Sequence, residues 1–151
     1  MRENRPTWSL RVRGDGADRA KVTTRQHQFT VGAPLSFDRE YDRTTALEQA
    51  LGALGADVVN GFTVLADRER VEIDDVEATV HAELDNALTY LGVVGEEGHP
   101  GLTRVEIKVY ASSPAPEPTV REVWEEARRR SPLVNTFRTC VDLELKLQLV
   151  F

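Results

Sequence analysis

The chain has 151 residues, of which 40% are hydrophobic and 29% charged, a balance typical of one globular domain with a substantial core. Its net charge of −6 disfavours nucleic acid as a partner, and its single cysteine excludes an internal disulfide framework. The N-terminus lacks the apolar segment of a secretory signal, and no apolar run approaches the roughly 20 residues that cross a bilayer. We therefore expect a single domain, residues 1–151, in the cytoplasm and without a membrane partner.

The N-terminal part is predicted to form an antiparallel meander. Apolar and polar side chains alternate over residues 8–13, as on a half-buried strand. Asp15-Gly16 offers a turn, and residues 20–24 and 28–31 would continue the meander. After these strands the chain is expected to be irregular until Thr45.

A long helix is predicted from about Ala46 to Asp67, because Thr45 and Glu48 form a capping-box signature at its start. Apolar residues step by three or four positions along one stripe, formed by Leu47, Leu51, Leu54, Val58, Phe62 and Leu65. A second stripe holds small residues and one carboxylate: Ala46, Ala50, Ala53, Asp57, Gly61 and Val64. A helix of this composition is expected to be buried on most sides.

The C-terminal half is predicted to add strands and a shorter helix. Alternating apolar residues over 76–84 and 105–109 indicate two one-sided strands, and a third spans 141–151. Thr119 and Glu122 form a second capping box that should open the shorter helix. Strands with one polar and one apolar face favour an α+β fold with an antiparallel sheet.

Two segments bear most directly on function: TTALEQALGALGAD at 44–57 and RRSPLVNTF at 129–137. They resemble the two cysteine motifs of the OsmC/Ohr family, the thiol peroxidases that reduce organic hydroperoxides. The family's first motif reads roughly E-x-L-L-x-A-A-L-G-A-C and its second begins Cys-Pro, but here the cysteine positions hold Asp57 and Ser131. The resemblance implies an OsmC-like fold with a long central helix, assembled as an intertwined homodimer of a peroxide-stress lineage.

The loss of both sulfurs removes the chemistry of that reaction. A thiolate attacks the peroxide bond and is oxidised to a sulfenic acid, which a second thiol resolves. A carboxylate has no such oxidation ladder, and a serine hydroxyl stays protonated unless a base activates it. Cys140, expected on the last strand, has no partner cysteine. We therefore predict that thiol peroxidase activity is lost, with a residual organic hydroperoxide reductase as an alternative.

The resemblance also implies which residues surround Asp57. In the Ohr branch, an arginine on an early strand and a glutamate ten residues before the first cysteine hold the reactive thiol. Arg19 matches that arginine, whereas Leu47 stands at the position of the glutamate. The former active site would then combine Arg19, Asp57 and Ser131, with Leu47 and Leu51 as apolar walls. A carboxylate in such a stripe needs a cationic or hydrogen-bonding partner, or it takes up a proton.

Several interpretations of this site stay open. Arg19 and Asp57 could form a structural salt bridge, or the site could bind a small, partly apolar molecule. Alternatively, an enzyme of non-peroxidase type could use Asp57 as acid or base with Arg19 and Ser131. A regulatory or interaction subunit is a further option. Ser131 before Pro132 is also the usual sequence of a helix N-cap. No spacing matches a metal site, including that around His99, so we expect neither a metal nor another cofactor.

Overall fold

The computed structural model describes residues 5–150 of the chain. These residues form six strands and four helices, which confirms the predicted α+β class. They divide into two compact units, the first ending at Leu51 and the second beginning at Gly52. The single domain expected from the sequence stays a prediction.

The N-terminal unit contains a three-stranded antiparallel sheet. Its strands are β1 (Arg11–Gly14), β2 (Ala20–Thr24) and β3 (His27–Val31), in the order β1-β2-β3. Gly16 in the first turn has a φ of 101°, which glycine adopts without steric cost. The predicted meander is therefore confirmed.

The expected burial of the first strand is wrong for the single chain. Trp8, Leu10 and Val12 are 81%, 54% and 64% exposed, and Phe29 on β3 is 44% exposed. Val12 pairs with Val22 and Val22 with Phe29, so these three side chains share one face of the sheet. An alternating pattern identifies the apolar face of a strand but not the element that covers it.

Helix α1 (Ala46–Arg68) begins at the predicted capping box and ends one residue beyond the predicted end. The Thr45 hydroxyl accepts a hydrogen bond from the Glu48 N–H at 3.1 Å, and the Glu48 carboxylate accepts one from the Thr45 N–H at 3.0 Å. Hydrogen bonding from the Thr45 backbone lowers the pKa of Glu48 below its usual value. The reciprocal bonds satisfy two backbone donors that a helix start leaves free.

The two stripes of α1 differ in burial. Leu54, Val58, Phe62 and Leu65 are buried, as their spacing predicts. In the second stripe Ala46, Ala50, Ala53, Gly61 and Val64 are exposed, and Asp57 is half-buried. The expectation that α1 is buried on most sides is therefore wrong for the single chain, since only one of its faces packs into the core.

By length and composition alone, α1 is apolar enough to cross a membrane. This corrects the expectation that no apolar run approaches that length. The core helix of a soluble protein passes the same test, and one apolar face of α1 is buried in the core of this chain.

The C-terminal unit contains a second three-stranded sheet, with β4 (Asp75–Leu84), β5 (Leu102–Ser112) and β6 (Asp142–Leu149) in that order. The first pair is antiparallel, but β6 runs parallel to β5. The expected antiparallel sheet is thus wrong at its last strand. Parallel neighbours need a crossover connection, which α3 (Glu117–Arg130) and α4 (Pro132–Phe137) provide.

The core of this unit lies between its sheet and the helices. Val105, Ile107 and Val109 on β5 are fully buried, as their alternation predicts. The rings of Phe62 on α1 and Trp124 on α3 meet edge to face, with centroids 5.6 Å apart. This contact packs α1 against α3 within the same core.

Two local predictions in the C-terminal half are wrong. Helix α3 begins two residues before Thr119, with Pro116 as N-cap and no side-chain cap bond. Proline suits the first helical turn because its φ is helical and it has no N–H to satisfy, so Pro118 allows the earlier start. Cys140 lies exposed in a turn before β6 rather than on the strand. The short helix α2 (Ala87–Tyr90), capped by Asn86, was not predicted.

Candidate functional site

The side chains at the two motif positions are in direct contact. Asp57 lies on α1, and Ser131 lies between α3 and α4. The Ser131 hydroxyl donates a short hydrogen bond to Asp57 Oδ1, and the Leu133 N–H donates to Asp57 Oδ2 at 3.2 Å. Ser131 Oγ also accepts a hydrogen bond from the Val134 N–H at 3.1 Å. We call Asp57 and Ser131, with these bonds to α4, the Asp57–Ser131 cap.

The cap accounts for a carboxylate within an otherwise small and apolar stripe. A helix start leaves backbone N–H groups without acceptors, and Ser131 satisfies one of them as the predicted N-cap. Asp57 satisfies a second, from a different helix. Ser131 is only 5% exposed, so these polar groups need partners inside the protein. The sequence indicated that Asp57 needs a cationic or hydrogen-bonding partner. The hydrogen-bond donors at the start of α4 are such partners.

A small cleft of about 150 Å³ opens beside the cap. Its apolar lining comes from Gly61, Val64, Leu65, Ala127 and Pro132, and its polar lining from Asp57, Ser131, Arg68 and Arg130. The cleft lies within the C-terminal unit and is bounded by α1, the end of α3 and the start of α4.

The two arginines of the cleft differ in their pairing. Arg130 Nε lies 2.5 Å from the carboxylate of Glu126, which also binds Arg129. Hydrogen bonds from Arg129 and Arg130 lower the pKa of Glu126 to about 2. Arg68 forms no ion pair with any residue in 5–150, although its side chain borders the same cleft.

The other predicted site residues belong to the N-terminal unit. Arg19 lies just before β2, where its Nε donates to the Asp15 carbonyl at 2.6 Å and is 3.6 Å from the Asp15 carboxylate. Leu47 and Leu51 are half-buried on the first turns of α1. The structure thus brings Asp57 and Ser131 together, whereas an Arg19–Asp57 pair and the two leucine walls stay predictions.

Sequence reasoning missed the two arginines and the backbone N–H of Leu133, which donates to Asp57. A signal for part of the cleft was present, because Gly61, Val64 and Arg68 follow Asp57 by four, seven and eleven positions. Such spacings place side chains on one face of a helix. Arg130 directly precedes Ser131, but its adjacency to α1 follows only from the packing of α3.

Comparison with known proteins assigns the family. Residues 39–146 match the family model described as OsmC-like protein. The chain belongs to the OsmC-like family. None of the curated proteins compared with the chain matches its sequence significantly.

Solved structures agree on the OsmC-like fold. An OsmC-like protein from Mycoplasma pneumoniae superimposes with a TM-score of 0.78 at 16% identity, over 97% of this chain and 99% of its own. An organic hydroperoxide resistance protein OsmC from Legionella pneumophila gives 0.64 at 15% identity, over 95% and 99%. The organic hydroperoxide resistance protein OhrB of Bacillus subtilis gives 0.59 at 16%, over 93% and 98%. At such identities the similarity confirms the expected fold and does not transfer activity.

Proposed function

We propose that this OsmC-like protein has lost thiol peroxidase activity and binds a small, partly apolar molecule in the cleft beside the Asp57–Ser131 cap. The observation that supports the loss is the cap itself, since both family cysteine positions hold oxygen side chains engaged in hydrogen bonds. The remaining thiol, Cys140, lies in an exposed turn and has no second cysteine to resolve it. Neither oxygen group can take up and release a peroxide oxygen as a thiol does.

We expect no catalytic turnover of cumene hydroperoxide or a lipid hydroperoxide with a dithiol reductant, because that cycle needs a resolvable sulfenic acid. The measurement is hydroperoxide consumption by the wild-type protein and by Cys140→Ser, which controls for slow oxidation of the exposed thiol. Consumption that disappears in Cys140→Ser would identify a residual peroxidase and overturn the proposed loss.

Binding is supported by the mixed lining of the cleft. Ligand sites typically combine apolar walls with a few polar groups, and this cleft has both. Its volume of about 150 Å³ is below the roughly 300–1,000 Å³ typical of drug-sized ligands. The proposed ligand is therefore small, with a short apolar body.

Binding can be tested with four-carbon probes: butyrate, butyramide, n-butanol and n-butylamine. Titration of the ¹⁵N-labelled protein should shift the backbone amide resonances of Gly61, Leu65 and Ala127 with at least one probe. Matched amides on the sheet, such as Ile107, should not shift. If no probe shifts the cleft amides, binding at the former active site is excluded for molecules of this size.

We further propose that the protein is a homodimer in which a second copy covers the exposed stripe of α1. Small residues on a helix allow close approach of another backbone, and this stripe joins Ala46, Ala50, Ala53, Gly61 and Val64. The exposed Trp8 and Leu10 add apolar surface of the kind that marks interaction sites.

Ala53→Leu should weaken this dimer by about 1–3 kcal/mol through overpacking, while the fold of each chain persists because Ala53 is exposed. Sedimentation velocity across a concentration series measures the change. Glu125→Leu, on an exposed position of α3, is the control that introduces the same side chain elsewhere. A wild-type protein that sediments as a folded monomer at micromolar concentration contradicts the proposal.

The alternative enzyme with Asp57 as acid or base is less well supported. Both carboxylate oxygens of Asp57 accept hydrogen bonds, and Ser131 is buried and caps α4. A general base must reach a substrate proton, which these bonds oppose. The geometry therefore favours a structural cap beside a binding cleft.

A further inference from the structure

We propose that the polar face of the N-terminal sheet binds a small oligophosphate, a soluble anion with at least two phosphate groups. This face lies on β1, β2 and β3 and is separate from the cleft beside the Asp57–Ser131 cap. The proposal therefore does not depend on ligand binding in that cleft. Its basis is a group of three exposed cations, Arg11, Arg13 and Lys21, on one face of the sheet.

The register of the sheet places these three cations next to one another. Arg13 on β1 lies directly opposite Lys21 on β2, and such neighbours have Cβ atoms about 5 Å apart. Arg11 lies two positions before Arg13, on the same face and roughly 7 Å along the strand. The three side chains line an open groove of about 580 Å³. Their charges are therefore concentrated in an area that one small anion can span.

The three cations have no counter-charge on their own sheet. Strands β1, β2 and β3 contain neither aspartate nor glutamate. None of the three cations forms an ion pair with another residue in 5–150. Asp15 borders one end of the groove, but its carboxylate lies 3.6 Å from Arg19. Like charges directly opposite each other destabilise a sheet, and a bound anion would offset their repulsion.

The C-terminal sheet distributes its charges differently. Three cations on its polar strand positions each lie close to a glutamate. Arg104 is 2.7 Å from Glu144, Lys108 is 3.3 Å from Glu106, and Lys146 is 3.3 Å from Glu144. Solubility is served by charges of both signs, as on this second sheet. The cations of a single sign on the first sheet therefore point to an external anion.

The proposed homodimer leaves the basic face open. Its interface buries apolar surface, and on this sheet the apolar face is the opposite one, which carries Val12, Val22 and Phe29. Leu10, two positions before Val12, continues the same alternation. A strand of a second copy that added to an edge would extend the sheet without covering either face.

The groove also contains neutral groups that suit phosphate oxygens. The Gln28 side-chain amide donates to Thr23 Oγ1 at 3.3 Å, which leaves the Thr23 hydroxyl proton available to a ligand. Guanidinium and ammonium groups form strong, charge-assisted hydrogen bonds to phosphate. A ligand with several phosphate groups can contact all three cations, whereas a single phosphate cannot span them.

The charge of the whole chain favours a small anion over an extended one. A membrane or a nucleic acid interacts with much of the protein surface, and the net charge of −6 repels it. A small anion in the groove responds mainly to charges within a Debye length of about 8–10 Å. The local cations therefore act on it more strongly than the distant carboxylates do.

Metal-free inorganic triphosphate is the probe for this site, at low ionic strength and with the protein in its own oligomeric state. Titration of the ¹⁵N-labelled protein should shift the backbone amide resonances of Arg13, Lys21 and Thr23. The amide of Ile107, on the C-terminal sheet, should not shift. Triphosphate should bind at least about tenfold more tightly than orthophosphate, because it can contact several cations at once.

Variants then assign the affinity to its residues. Arg13→Gln and Lys21→Gln should each weaken triphosphate binding by about three- to tenfold, since both cations are exposed. Both variants should keep or exceed the wild-type Tm, because they relieve repulsion across the strands. Lys146→Gln is the matched control, since it removes the same charge from the polar face of the other sheet. Its triphosphate affinity should stay that of the wild type.

Each outcome supports or overturns the proposal. Equal affinity for triphosphate and orthophosphate would overturn it, as would an equal loss of affinity in Lys146→Gln. Tighter binding of duplex DNA, or of vesicles of phosphatidylglycerol and phosphatidylcholine, at equal phosphate concentration would assign an extended partner instead. If triphosphate shifts no amide of the sheet, the site is overturned while ligand binding in the cleft is unaffected. Preferential triphosphate binding that Arg13→Gln and Lys21→Gln weaken, with Tm retained, supports the proposal.

Discussion

Asp57→Ala should lower the free energy of unfolding by about 2 to 3 kcal/mol, because it removes two hydrogen bonds to a charged acceptor. Leu133 loses the acceptor of its N–H at the start of α4, and the Ser131 hydroxyl loses the acceptor of its proton. Chemical denaturation monitored by circular dichroism, at a protein concentration that is held fixed, measures the loss.

Two comparisons assign that loss to the Asp57–Ser131 cap. Asp57→Asn keeps the shape and one carbonyl acceptor for Leu133, so it should cost less than about 1 kcal/mol. Ser131→Ala removes the N-cap acceptor of Val134 and should cost about 1 to 2 kcal/mol. The losses in Asp57→Ala and Ser131→Ala should not add, because both residues act in one hydrogen-bond network. Melting of all variants at the wild-type temperature would show that Asp57 is solvated and that the cap contributes nothing.

The same series tests the predicted pair of Arg19 and Asp57. If the two formed a buried ion pair, Asp57→Ala would cost about 3–5 kcal/mol through an unpaired guanidinium. The double variant Arg19→Met/Asp57→Leu would then recover stability. Independent losses in the single variants would instead assign Asp57 to α4 and Arg19 to its contact with Asp15.

Gly55→Leu should destabilise the fold by about 1–3 kcal/mol or more, because α1 lies against β4 at this position. Gly55 is buried, and a Cβ added there would lie 2.9 Å from Val80 Cγ2, closer than carbon atoms normally approach. A leucine side chain has no space unless the helix moves away from the sheet. Denaturant unfolding measures the loss. If the unfolding free energy depends on denaturant concentration as steeply as in the wild type, the variant exposes a similar surface area on unfolding and the change is one of stability.

Gly52 supplies a matched control on the same helix. It is exposed, and a Cβ added there would meet no atom within 4 Å. Gly52→Ala should therefore raise stability by about 1 kcal/mol through helix propensity, whereas Gly55→Ala should lose most or all of that gain. Equal gains at the two positions would contradict the close approach of α1 and β4.

The elements that the sequence predicted well are those whose signals are local. The capping box at Thr45 and the apolar repeat along α1 gave its bounds to within one residue. The N-cap at Ser131 was recognisable because serine before proline satisfies the first turn of a helix. Local signals failed where two of them competed. The capping box at Thr119 and Glu122 predicted a later start for α3, but Pro118 suits the first helical turn and α3 begins at Glu117.

The sequence by itself determined two things about this protein. The two motifs indicated its family, and the residues at positions 57 and 131 showed that both motif cysteines are absent. Only the tertiary structure decided the partners of Asp57. The Asp57 carboxylate accepts hydrogen bonds from Ser131, which lies 74 positions later in the sequence, and from the backbone of α4. Backbone donors carry no residue signature, and the pairing of β6 parallel to β5 depends on the path of the crossover rather than on alternation. Periodicity and capping encode which face of an element is apolar and where it begins. The packing of distant elements decides which polar groups then share a cleft.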